Sequence, residues 1–165
     1  MPDFVTIGGL THHVQFRAGS RPRPIVFAKA DMVGLGHDPA ELMDHYQLDK
    51  ALVCGVSVGG MIAQTLAATR PDLVSQLILC NTGYKIGDDT TWNTRLTELE
   101  KAGLDAMADD IQERWYSKEF RESSANQAQG YRYMLTRTPK LGYQHVCEAI
   151  RDADLKHDAQ SINCP

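Results

Sequence analysis

One serine stands between two glycines at the point where the sequence changes from a strand pattern to a helix pattern. The pattern Gly-x-Ser-x-Gly occupies residues 55–59, with Ser57 at its centre. Residues 51–54 (ALVC) form a continuous apolar run typical of a buried strand, and Ile62 and Leu66 then follow at helical spacing. A serine on a tight strand-to-helix turn exposes its hydroxyl for attack on a carbonyl carbon. The sequence therefore predicts Ser57 as the nucleophile of an acyl-transfer reaction.

The neighbours of Ser57 fit this chemistry. Crowding at such a turn leaves little room for side chains two residues away, and Gly55 and Gly59 supply the space. The helix that starts after Ser57 points its first amides and the positive end of its dipole toward the reacting oxygen. The backbone N–H of Val58 is thus the predicted first donor of an oxyanion hole. The alternative is a tight turn that carries an idle serine.

Strand and helix patterns alternate in the first half of the sequence. The predicted strands are residues 4–7, 12–16, 25–28, 51–54 and 77–80. The first two flank Gly8 and Gly9 as a hairpin, and the others are continuous apolar runs typical of a parallel sheet covered on both faces. Helices are predicted over 59–69 and from Asp38, with Asp38 as N-cap and Pro39 in the first turn. This order predicts an α/β fold.

The second half of the sequence has a different character. Residues 90–151 show helical spacing and no convincing strand, which predicts three or four helices in a separate layer. The predicted breaks between these helices are Gly103, Gly130, Pro139 and Gly142.

Composition excludes several classes of function. The chain has 165 residues, 42% of them hydrophobic, and a net charge of −4. It contains no basic patch for nucleic acid and no apolar run of about 20 residues for a membrane span. The start of the sequence lacks a signal-peptide pattern, so a cytoplasmic location is expected. The cysteines are too widely spaced to predict a metal site. They are Cys54, Cys80, Cys147 and Cys164.

Several separated segments resemble one known family. They are CGVSVGGMIAQ (54–64), RPDLVSQLILCNTGYKIGDDTTWNTR (70–95), ERWYSKEFR (113–121) and AIRDADL (149–155). Together they resemble the α/β-hydrolase superfamily and, within it, the 3-oxoadipate enol-lactonases of aromatic catabolism. The resemblance implies a mostly parallel sheet, a helical lid and a Ser-Asp-His triad, with neither metal nor organic cofactor. It divides the chain into a partial core (1–83), a lid (84–151) and the start of the return to the core (152–165).

The sequence also departs from this family. Only 22 residues, 29–50, lie where the family has an oxyanion loop, two helices and a strand, so one helix and one strand are expected to be deleted. Ala30 occupies the place of the second oxyanion N–H. The family's triad Asp and His follow a strand that would come after Pro165, so both are expected to be missing. Local residues that could replace the missing triad members are Asp152, Asp154 and His157. They match a segment that has no catalytic role in the family.

The lid supplies candidates for substrate binding. The enol-lactone of this pathway carries an acetate group, and arginine suits carboxylates. Arg114 is the main candidate, with Arg132 and Arg137 as others, and Trp92 and Trp115 could wall the pocket. The alternatives are solvated arginines and ordinary core tryptophans.

Three hypotheses follow. The first is a hydrolase of the 3-oxoadipate enol-lactonase type that opens a small-molecule lactone or ester through Ser57. The second is a truncated hydrolase fold that no longer catalyses and serves as an interaction unit. The third is a general esterase or perhydrolase with the same serine turn. Sheet edges left open by the missing elements also predict self-association.

Overall fold

The computed structural model describes residues 2–7, 10–15 and 32–165. Its elements in chain order are β1 (Pro2–Ile7), β2 (Leu10–Gln15), α1 (Met32–His45), β3 (Ala51–Val56), α2 (Val58–Thr69), β4 (Val74–Cys80), α3 (Asp89–Trp115), α4 (Lys118–Ser123), α5 (Ala125–Thr136), α6 (Lys140–Asp152) and α7 (Lys156–Ser161). Two compact units divide these residues. The first extends to Ile86 and includes Glu148–Pro165, and the second is Gly87–Cys147.

The strands confirm the α/β class. β1 pairs antiparallel with β2, from Pro2 opposite Gln15 to Ile7 opposite Leu10, as the hairpin pattern predicted. β3 pairs parallel with β4, and α2 forms the connection between them. The predicted strand over 25–28 and the glycines of the hairpin turn lie outside the described residues.

The prediction for the start of helix α1 was wrong. The helix begins at Met32, and Pro39 lies inside it instead of in the first turn. A proline costs one helical hydrogen bond, and two glycines precede it, so the local sequence favours a later start. Packing overrides this preference. Leu35 is fully buried, and Gly36 lies so close to α2 that a Cβ atom there would be 2.6 Å from the Thr65 methyl group.

The core of the first unit lies between α1, α2 and the parallel strands. Its buried members are Ala40, Met43, Ala51, Val53, Ala63, Leu66, Ala67, Leu73 and Val74. Ile162 and Cys164 pack against this core, and the Leu77 N–H donates to the Pro165 carbonyl at 2.9 Å. Arg70, at the end of α2, binds Asp44 of α1 in bidentate fashion at 2.8 and 2.9 Å and also binds Asp72.

The second unit is helical, as predicted. Its core comprises Leu99, Leu104, Met107, Ala108, Ile111 and Leu135. Gly103 interrupts α3 with a φ of 74°, so the predicted break at this glycine is confirmed. The breaks predicted at Gly130 and Gly142 were wrong, since both lie inside helices, α5 and α6. The assignment of residues 84–151 as a lid stays a prediction.

Among the described residues, no helix is both long and apolar enough to span a lipid bilayer.

Candidate active site

Ser57 has an unusual backbone conformation. It lies between the last residue of β3 and the first of α2, with φ 54° and ψ −123°, and it is exposed. A positive φ at a residue other than glycine costs about 1–3 kcal/mol and persists only where the surroundings impose it. Ser57 makes no side-chain cap to α2. The strained turn therefore leaves the hydroxyl outside the helix and open to solvent.

The crowding predicted around this turn is present. A Cβ atom on Gly55 would lie 2.2 Å from the carbonyl oxygen of Gly59 and 2.6 Å from the backbone nitrogen of Gly60. Both obstacles are backbone atoms, which cannot rotate away. Only glycine at position 55 therefore lets the start of α2 approach the end of β3 this closely.

Hydrogen bonds from both sides hold the Ser57 backbone. Its N–H donates to the Cys80 carbonyl at 3.0 Å, and its carbonyl accepts from the Thr82 hydroxyl at 2.7 Å. The same carbonyl accepts from the N–H groups of Gly60 and Met61 at 2.9 and 3.3 Å. Sequence reasoning missed Thr82. The signal was a polar residue two positions after the end of β4, since ligand sites of parallel sheets form at the carboxyl ends of the strands.

The structure describes one of the two predicted oxyanion donors, Val58. Val58 is the first residue of α2, so its N–H is one of the amides that have no acceptor within the helix. It belongs to the peptide that follows Ser57 and points away from the Ser57 carbonyl. Ala30 lies outside the described residues.

Triad partners for Ser57 are not found among its described neighbours. Within the described part of the chain, no side chain forms a hydrogen bond with the Ser57 hydroxyl. Asp152 ends α6 and binds Arg151 at 2.7 Å, and Asp154 accepts from the Lys156 N–H at 3.1 Å. His157 is 96% exposed. Asp152 and Asp154 thus serve a helix end and a turn. The same described residues contain no group of three or more His, Cys, Asp or Glu that could hold a metal ion.

The predicted substrate-binding residues belong to the second unit. Trp92 is buried at 8% exposure, and the Arg95 guanidinium lies 5.3 Å from the centre of its ring. Trp115 is 55% exposed. Arg114 is exposed and lines an open cavity of about 310 Å³. The other residues that line this cavity are Asp88, Thr90, Thr91, Thr94, Arg95 and Glu98.

The two other arginines have partners in the same unit. Arg132 binds Asp109 at 2.8 Å and Asp105 at 3.0 Å, and these hydrogen bonds raise its pKa. Arg137 lies over the Tyr133 ring at 5.8 Å. Arg114 lines a cavity and forms no ion pair with a carboxylate of the described residues.

Comparison with known proteins decides the family. A sequence profile of the alpha/beta hydrolase fold matches residues 18–134. The chain belongs to the alpha/beta hydrolase family. The resemblance that the serine turn and its flanking segments predicted is confirmed, and the parallel pair with its flanking helices is a part of that fold.

Two curated proteins are similar to this chain in sequence. 3-Oxoadipate enol-lactonase 2 of Acinetobacter baylyi is 34% identical over 131 residues, which are 79% of this chain and 49% of that protein. 3-Oxoadipate enol-lactonase 1 of the same organism is 30% identical over 140 residues, covering 85% and 53%. The chain thus spans about half the length of the curated relatives it matches.

A solved structure is similar to this chain in both fold and sequence. The enol-lactonase from Burkholderia xenovorans superposes with a TM-score of 0.78 at 33% identity. The match covers 82% of this chain and 52% of that one.

Proposed function

We propose that this chain carries the serine nucleophile of a carboxylic-ester hydrolase of the 3-oxoadipate enol-lactonase type. The observation that carries the proposal is the strained, exposed Ser57 between β3 and α2. An idle serine at a strand-to-helix turn has no reason to adopt a conformation that costs about 1–3 kcal/mol. Identities of 30% and 34% to two enol-lactonases support the substrate class.

The proposed reaction is acyl transfer through Ser57. Its Oγ attacks the carbonyl carbon of the lactone, a base removes the hydroxyl proton, and the Val58 N–H donates to the oxyanion. Collapse of the tetrahedral intermediate breaks the ring C–O bond, and the leaving enol oxygen takes the proton from the base. Water then hydrolyses the acyl-enzyme. In the family the base is a His oriented by an Asp, and we assign neither role to a described residue of this chain.

A carboxylate on the substrate would be bound by a cation. We propose Arg114 for this role, because it lines a cavity together with a second arginine, Arg95. Trp92 and Trp115 are the proposed apolar contacts. A role in aromatic catabolism and a cytoplasmic location remain predictions from the sequence.

Ring opening tests the proposal. The 165-residue chain is incubated with 3-oxoadipate enol-lactone, and loss of the lactone is compared with that in Ser57→Ala. Without a base at the hydroxyl, we expect hydrolysis well below the typical enzymatic range of about 1–1,000 per second, but dependent on Ser57. Equal rates in the two proteins would contradict the assignment of Ser57 as the nucleophile. Arg114→Gln, with Arg137→Gln as its matched control, then tests whether Arg114 binds the carboxylate of the substrate and so raises the apparent affinity for the lactone.

A further inference from the structure

The peptide that links Ser57 to Val58 carries two functions at once. Its carbonyl belongs to Ser57, and its N–H, the proposed oxyanion donor, belongs to Val58. Because a peptide unit is planar and trans, the N–H and the carbonyl point in opposite directions. Whatever fixes the direction of the Ser57 carbonyl therefore also fixes the direction of the Val58 N–H.

The Thr82 hydroxyl fixes this carbonyl from outside the helix. Its Oγ1 donates to the Ser57 oxygen at 2.7 Å, the shortest of the three hydrogen bonds that this oxygen accepts from described residues. The other two come from Gly60 and Met61 in the first turn of α2 and belong to the helix itself. Thr82 is thus the contact that ties the peptide to a second element, the segment that follows β4.

The surroundings place Thr82 at this position. Asn81 has a φ of 45°, so the chain turns sharply as it leaves β4. The buried Gln64 side chain donates to the Gly83 carbonyl at 3.2 Å and to the Gly60 carbonyl at 3.1 Å, which joins this loop to α2. A Cβ atom on Gly60 would lie 2.4 Å from the Thr82 methyl group, so the two residues are in close contact.

We propose that Thr82 is a positioning residue for the oxyanion hole: its hydroxyl holds the Ser57–Val58 peptide so that the Val58 N–H faces the developing oxyanion. The inference rests on the proposed function of Ser57. A hydrogen bond to the carbonyl also polarises the peptide, which makes its N–H a better donor. Thr82 itself touches no reacting atom.

Two substitutions and one control separate this role from a general effect on packing. Thr82→Val removes the hydroxyl and keeps the shape of the side chain, whereas Thr82→Ser keeps the hydroxyl. The control is Thr69→Val, because the Thr69 hydroxyl also donates to a backbone carbonyl at 2.7 Å, that of Thr65 near the other end of α2. Circular dichroism first establishes that each variant is folded.

Two readouts are measured on each variant. The first is the rate at which a fluorophosphonate modifies Ser57, followed by peptide mass spectrometry over hours. We expect about a fivefold decrease in Thr82→Val, the ratio expected for one lost hydrogen bond, and wild-type rates in Thr82→Ser and Thr69→Val. The second is the Val58 amide signal in a ¹H–¹⁵N NMR spectrum, which should shift in Thr82→Val and stay in place in the other two.

The outcomes distinguish this inference from the proposed function. If Ser57 is modified at the same rate in Thr82→Val as in the wild-type chain, the positioning role is overturned while the nucleophile stands. If no protein is modified, the proposed function fails, and the role in an oxyanion hole fails with it. The Val58 signal then tests only whether the Thr82 hydroxyl fixes the Ser57–Val58 peptide: a shift confined to Thr82→Val supports this contact, and an unchanged signal overturns it. Equal loss of rate in Thr82→Val and Thr82→Ser, or a similar loss in Thr69→Val, also overturns it.

Discussion

Replacing Gly55 with alanine should break the contact on which the serine turn depends. The added methyl carbon would lie 2.2 Å from the Gly59 carbonyl oxygen, and real Cβ atoms essentially never come closer than 3.0 Å to such an atom. The start of α2 must therefore retreat by about 0.8 Å, from 2.2 to 3.0 Å. Because the atoms that the methyl carbon would meet, the Gly59 oxygen and the Gly60 nitrogen, belong to the backbone, no side-chain rotation can relieve the clash.

The expected loss of stability is large. Overpacking costs about 1–3 kcal/mol, and we expect Gly55→Ala to lie at the upper end, at about 3 kcal/mol. With a urea dependence of about 2 kcal/mol per molar, the unfolding midpoint should fall by about 1.5 M. Circular dichroism at 222 nm measures this midpoint.

Gly130→Ala is the matched control. Gly130 lies inside α5, and a Cβ atom there meets nothing within 4 Å. Alanine in a helix interior is more favourable than glycine by about 0.5–1 kcal/mol, so the urea midpoint should stay or rise slightly. If Gly55→Ala unfolded at the same urea concentration as Gly130→Ala, the close approach of β3 and α2 would be refuted.

Three further predictions concern the first unit. Ser57→Gly should be about 1 kcal/mol more stable to urea than Ser57→Ala, because glycine adopts a positive φ without strain; equal stabilities would show that the turn is relaxed. Arg70 lowers the pKa of Asp44 and Asp72 in the folded state, so its stabilisation is present above their ordinary pKa of about 4 and is lost as the pH falls through the lowered values. The difference in urea midpoint between wild type and Arg70→Gln should therefore shrink from about pH 6 toward about pH 3, and a constant difference would contradict this. We propose that β4 associates with a second copy, since its sequence VSQLILC is uncharged and Leu79 is 43% exposed. Leu79→Lys should then lower the average mass in sedimentation, and a wild-type chain that is already monomeric would argue against it.

The serine turn could be predicted from the sequence because its determinants are local. A buried strand, two glycines and a helix within about 15 residues specify where Ser57 lies and why it is strained. The positions of the two parallel strands and the break at Gly103 were predicted in the same way. The prediction that a continuous apolar run marks a strand buried on both faces was wrong for β4, where Ile78 and Leu79 are 45% and 43% exposed.

The features that the sequence did not predict depend on contacts between distant residues. α1 starts at Met32 because Leu35 is buried and Gly36 packs against α2, although the glycines and Pro39 favour a later start. The contact between Thr82 and Ser57 spans 25 residues and depends on the register of β4 against β3. Propensity and periodicity carry no information on such a register.

Site-specific labelling tests the central claim, that Ser57 is the nucleophile, most directly. The wild-type chain and Ser57→Ala are each incubated with a fluorophosphonate, and the adduct is located by peptide mass spectrometry. The account predicts one adduct per chain, on Ser57, which forms over hours because no described side chain bonds to the hydroxyl, and which is absent from Ser57→Ala. Modification of a different residue, or equal modification of Ser57→Ala, would contradict the claim.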